Sequence, residues 1–163
     1  MKILSMKTTN FLGAMLSLLV CLMFTGCSNS ETNSTSRGLT DFAHIEEEYL
    51  ATIDSLNWPD GITLPDKLED EDTGASFQVG YGETRASYLW EYSWMKEWLD
   101  TYNTDPERAE KALEELEKAF DMPYMGIDRC DDATRNYLRE NIDKAKLGDP
   151  SGFTESIRAN YAN

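Results

Sequence analysis

Three tryptophans four residues apart, Trp90, Trp94 and Trp98, most constrain what this chain can fold into. At about 100° per residue that spacing lays the indoles in one narrow stripe along a helix. Tyr88, Tyr92, Met95 and Leu99 make a second stripe beside it, and Arg85, Lys96, Glu97 and Asp100 are left for the remaining side. The two stripes cover roughly half the helix circumference or more, and an apolar arc that wide demands several packing neighbours. Residues 81–102 are therefore expected to be the central helix of a helical domain.

The neighbours can be read from caps and spacing. Thr40 or Asp41 can start a first helix with Phe42, Ile45, Tyr49, Ile53 and Leu56 on one face. His44 and the acids Glu46, Glu47 and Glu48 fall mainly off that face and are expected in solvent. Pro59, in Trp58-Pro59-Asp60-Gly61, stops the helix. Residues 60–80 form the one long irregular segment, with Ile62, Leu64 and Pro65 able to dock and Phe77, Val79 and Tyr81 alternating as a short extended lead-in. Its acids Glu69, Asp70, Glu71 and Asp72 lack the alternating pattern, central glycine and distal glutamate of a calcium loop, so no metal is expected. Gly80-Tyr81-Gly82 lacks the βαβ frame of a dinucleotide site, so no cofactor is expected either.

Beyond the central helix, Asp105-Pro106-Glu107 is a cap, a proline at the first position and an acid near the positive helix end. Ala109, Ala112, Leu113, Leu116, Ala119 and Phe120 form the inner face of that helix, which Met122-Pro123 should end. A fourth helix begins at Asp131 or Asp132, carries Tyr137, Leu138, Ile142 and Ala145, and stops at Gly148. Asp149-Pro150 opens a short last one lined by Phe153, Ile157 and Tyr161. The expected fold is all-α: an irregular bundle of four or five helices around the Trp-rich one, as a single domain over residues 39–163.

The first 26 residues have another character. Lys2 and Lys7 precede an apolar run from residue 11 to 24, shorter than the ~20 residues a membrane span needs, and small residues follow. Met23-Phe24-Thr25-Gly26-Cys27 resembles the lipobox of bacterial lipoproteins. That resemblance implies removal of residues 1–26 and lipid attachment at Cys27, which would become the mature N-terminus. Two or more acyl chains are what stable anchoring takes. Residues 28–37 hold no aliphatic side chain and read as a flexible tether, reaching on the order of 16 to 19 Å. The stretch from Trp58 to Pro65, followed by Gly80-Tyr81-Gly82 and the Trp-rich helix, resembles a pattern in small exported bacterial proteins and implies no particular activity.

Cysteine and charge narrow the function. Of the 3 cysteines, Cys21 lies in the removed leader and Cys27 would carry lipid, so Cys130 has no partner for an internal disulfide. It is expected to be a small buried or half-buried thiol. Loss of Lys2 and Lys7 from 15 basic residues, against 30 acidic ones, leaves a net charge of −17. Such a domain repels phosphate backbones, which excludes nucleic acid as a partner.

The expectation is thus a protein tethered to the membrane by its N-terminal lipid at the extracytoplasmic face of the cell envelope. It would be a binding module for a protein, glycan or small ligand rather than an enzyme. Trp98, Tyr102 and Trp58 are the candidate ligand-binding residues, because aromatic rings on or near the central helix offer contact area with a polar handle. The alternative is an envelope enzyme of the hydrolase class, for which the sequence offers one histidine, no nucleophile elbow and no catalytic motif.

Overall fold

The computed structural model describes residues 38–69 and 71–161. The expected leader, the lipid site Cys27 and the tether lie outside the described residues. Within them the chain forms five α-helices: α1 (Phe42–Ser55), α2 (Tyr81–Thr101), α3 (Pro106–Glu117), α4 (Asp132–Lys146) and α5 (Ser151–Asn160). Two short strands, β1 (Leu39–Thr40) and β2 (Phe77–Gln78), pair antiparallel, with Leu39 opposite Gln78 and Thr40 opposite Phe77. The fold is the expected all-α bundle, and no described helix is long and apolar enough to cross a membrane.

Local chemistry sets the helix starts. The carboxylates of Asp41, Asp105 and Asp131 accept from the amides of His44, Arg108 and Thr134, and Pro106 occupies the first turn of α3. Gly148, at φ 78°, ends α4, and the Asp149 carboxylate accepts from the Ser151 amide before α5. The third helix stops earlier than Met122-Pro123 suggested. It tightens into a 3₁₀ turn over Lys118–Asp121, and Pro123–Met125 forms a second.

The second helix is the axis of the molecule, in contact with α1, α3, α5 and the second 3₁₀ turn. Trp90, Trp94, Met95 and Trp98 are buried in a core shared with α3, α4 and α5. Ala86, nearer the start of α2, joins Ile45, Tyr49 and Ile53 of α1 and Leu68 of the irregular segment in a second cluster. Polar side chains on this covered helix are satisfied internally: the hydroxyls of Thr84, Ser87, Ser93 and Thr101 donate to carbonyls one turn back. The chain just after α1 is fastened to the axis because the Nε1 groups of Trp90 and Trp94 both donate to the Asn57 carbonyl, at 2.9 and 3.2 Å.

The acids of α1 correct the expectation of a solvated face. Glu48 is turned inward to receive the Gly80 amide at 2.7 Å and the Gly82 amide at 3.2 Å, so it caps the start of α2 from another helix. Glu46 accepts from the Leu68 amide at 3.3 Å, while Glu47 is exposed. The two glycines are needed for this arrangement. Gly80 sits at φ 88°, and a Cβ on Gly82 would come within 1.8 Å of the Ile45 carbonyl oxygen.

Candidate functional site

The aromatic residues expected to bind ligand are placed differently from one another. Trp98 is 2% exposed, so it belongs to the core: Phe153 meets it edge-on at 5.3 Å and Tyr102 stacks on it at 4.6 Å. Little of this indole is left for a ligand to touch, because α5 packs over that end of α2. Trp98 and Tyr102 do border one groove of about 480 Å³ between α3 and the end of α4, with Pro106, Ala109 and Leu113 below and Glu110, Glu114 and Glu117 beside them. Trp58 is elsewhere. Half-buried between the two hydrophobic clusters, its Nε1 donates to the Ile53 carbonyl at 2.9 Å and serves to close α1.

A second hollow carries more chemistry, and the sequence pattern did not single it out. Glu91 lies on α2 between Tyr88 and Met95, inside the aromatic arc, and is 8% exposed. The 3₁₀ turn after Pro123 presents Tyr124, whose hydroxyl donates to Glu91 Oε2 at 2.8 Å. Burial pushes the Glu91 carboxyl up to about 7, against which the Tyr124 hydrogen bond acts in the opposite direction. The Tyr124 phenol is in turn pushed well up, by burial first and then by the Glu91 charge.

Glu91 borders a cavity of about 350 Å³ whose aromatic walls are Tyr88, Tyr137 and Tyr161. The α4–α5 pair positions the far wall. Gly152 packs so tightly on Asn141 that a Cβ there would meet the Asn141 Oδ1 at 2.5 Å, and this close crossing seats α5. At the far end of α5, Tyr161 rests its ring on Tyr92 at 4.9 Å and donates its hydroxyl to the Tyr88 carbonyl at 3.3 Å. Arg85 stands at the rim with Nε 3.4 Å from Glu71 Oε1, an oxygen that also accepts from the Tyr81 hydroxyl. Two smaller hollows adjoin: one of about 260 Å³ shares Arg85, Tyr88 and Tyr161 with it, and one of about 170 Å³, which Tyr124 also lines, shares Tyr88. Tyr88, 43% exposed, is the residue common to all three.

Two signals in the sequence could have led to this site. A carboxylate three residues after Tyr88 and four before Met95 falls where the stripe requires an apolar side chain, and tyrosines recur at positions 124, 137 and 161. Cys130 is a free, half-buried thiol near the same region, its Sγ 3.5 Å from Met125 Sδ, and burial raises its pKa. No group of three or more described His, Cys, Asp or Glu residues is arranged to hold a metal ion. Compared with protein-family models, curated proteins and solved structures, the chain matches none.

Proposed function

We propose that this chain is an extracytoplasmic lipoprotein, anchored through Cys27, whose helical domain binds a small ligand in the cavity beside Tyr88. The lipobox-like residues 23–27 support the anchor. One observation supports the binding role: a cavity of about 350 Å³ with a buried carboxylate, Glu91, on its wall and exposed tyrosine faces around it. Concave, largely apolar sites with a few convergent polar groups are where small ligands bind, and a perturbed carboxyl adds weight to such a site. The second reading, an envelope hydrolase, draws on the same residue, because a carboxyl that titrates near neutrality suits a general acid. Glycoside hydrolysis uses two facing carboxylates, and Glu91 is the single one among the described residues lining this cavity. Binding is therefore the reading advanced.

Thermal unfolding of the full-length protein in detergent micelles, against a panel of anionic, neutral and cationic small molecules, tests it. A ligand at a hundredfold excess over its Kd stabilises by about 2.7 kcal/mol. Thr134 lies exposed at the cavity rim, so Thr134→Trp should block entry without disturbing the core. A compound that raises the Tm of the parent and not of Thr134→Trp is the expected result. Stabilisation that persists in the variant, or none from any compound, would overturn the assignment.

A further inference from the structure

Resting on the reading that the Tyr88 cavity is a binding site, we infer that its ligand is a small organic cation, an amine or quaternary ammonium compound, held against Glu91 between tyrosine faces. Glu91 is a buried acid without a counter-charge: among the described residues no cation stands within salt-bridge reach of it, and the group that donates to it is a neutral hydroxyl, that of Tyr124. Burying a carboxylate without a counter-charge is costly, and a ligand that brings the missing positive charge removes that cost.

The surroundings agree on the sign of the ligand. Tyr88 and Tyr137, both lining the cavity, are 43% and 41% exposed, and the face of an aromatic ring attracts cations. The titratable groups that feel Glu91 come from several elements: Tyr88 on α2, Tyr124 on the 3₁₀ turn, Cys130 in the loop before α4, and Tyr161 at the end of α5. Each has its pKa raised, so each is neutral near pH 7 and none answers the Glu91 charge. Tyr137 of α4 lines the same space. Arg85, the basic residue on the rim, is already paired with Glu71. An anionic ligand would meet a carboxylate and ring faces of the wrong polarity, in a protein whose net charge is −15 over the whole sequence.

The proton on Glu91 makes this testable. A cation binds the ionised carboxylate, and the free carboxyl is raised to about 7. Affinity should therefore be level above that pH and fall about tenfold per unit below it. Calorimetry on the full-length protein in detergent micelles would use choline and phenethylamine as probes, with dimethylbutanol and phenylethanol as their uncharged counterparts. The expected result is saturable binding of at least one amine and binding of its counterpart weaker by about tenfold or more, since loss of a buried charge pair costs at least that factor. Glu91→Gln, which still accepts the Tyr124 hydroxyl, should weaken the amine by a similar factor, abolish the pH dependence and leave the Tm at pH 7 no lower. No binding by either amine, equal binding of the uncharged counterpart, or an unaltered affinity in Glu91→Gln would overturn the inference. A neutral or anionic compound blocked by Thr134→Trp but indifferent to Glu91→Gln would overturn it too, while leaving the cavity a binding site. Absence of any compound sensitive to Thr134→Trp would overturn both.

Discussion

Glu91 is a residue the fold holds at a cost that depends on pH. Its carboxyl is raised from 4.5 to about 7 because the charged form loses water on burial. Between those two values the folded protein keeps a proton that the unfolded chain has released. The stability linked to that proton is fully present below about pH 4.5 and is lost as pH rises through about 7. A separation of this size corresponds to about 3 kcal/mol, at 1.36 kcal/mol per unit. Glu91→Gln cannot ionise and should not lose that increment. Urea unfolding of parent and variant between pH 4.5 and 8 should therefore give curves that diverge by about 3 kcal/mol, with the variant relatively more stable at the alkaline end. Parallel curves would show that Glu91 is hydrated or paired, and would remove the carboxylate from the argument for a cation site.

Elements meet here through contacts of two kinds, and only one kind was legible beforehand. Caps such as Asp41, Asp105 and Asp131 act on amides three residues away, so a short window of sequence contains the whole signal. The Trp spacing likewise contains the axis of the bundle, and Trp90 and Trp94 are each 1% exposed. By contrast, Glu48 acts on Gly80 and Gly82, 32 and 34 residues on, and Tyr124 reaches Glu91 across 33. Charge runs look alike whether they face water or a distant helix end, which is why Glu46 and Glu48 read as surface, while the partner that marks Glu91 lies on a turn 33 residues away. The covering of Trp98 is equally remote from it in sequence, since the ring that meets it edge-on is Phe153 of α5. The trans-cap can be measured. Glu48→Ala leaves two amides at the start of α2 without their acceptor and should cost about 1 to 2 kcal/mol, whereas Glu47→Ala, on the exposed face, should stay within about 0.5 kcal/mol of the parent. Equal losses in urea unfolding would mean that the α1–α2 junction is held by packing alone.

The whole molecule joins an acidic helical domain to an N-terminal segment of opposite character, and the charge balance bears on how the two would work together. With residues 1–26 removed the chain carries −17, so its net charge opposes binding to an anionic bilayer. Membrane retention would then depend on the lipid at Cys27 and should survive high salt, since acyl chains are held by apolar transfer rather than by ion pairing. The same negative field would concentrate small cations around a tethered domain, in keeping with the ligand class inferred for the Glu91 cavity. Metabolic labelling with a radioactive fatty acid, followed by membrane fractionation and mass spectrometry of the mature N-terminus, examines the anchor directly. The parent should be labelled, remain in the membrane fraction after a high-salt wash, and begin at a modified Cys27. Cys27→Ala should lose both the label and that N-terminus, while the unfolding transition of its helical domain stays unchanged, because the described elements begin at Leu39, twelve residues beyond the lipid site. A parent protein found unlabelled, released by salt and starting beyond Cys27 would refute the anchor, and would leave the Tyr88 cavity to be explained in a freely diffusing protein.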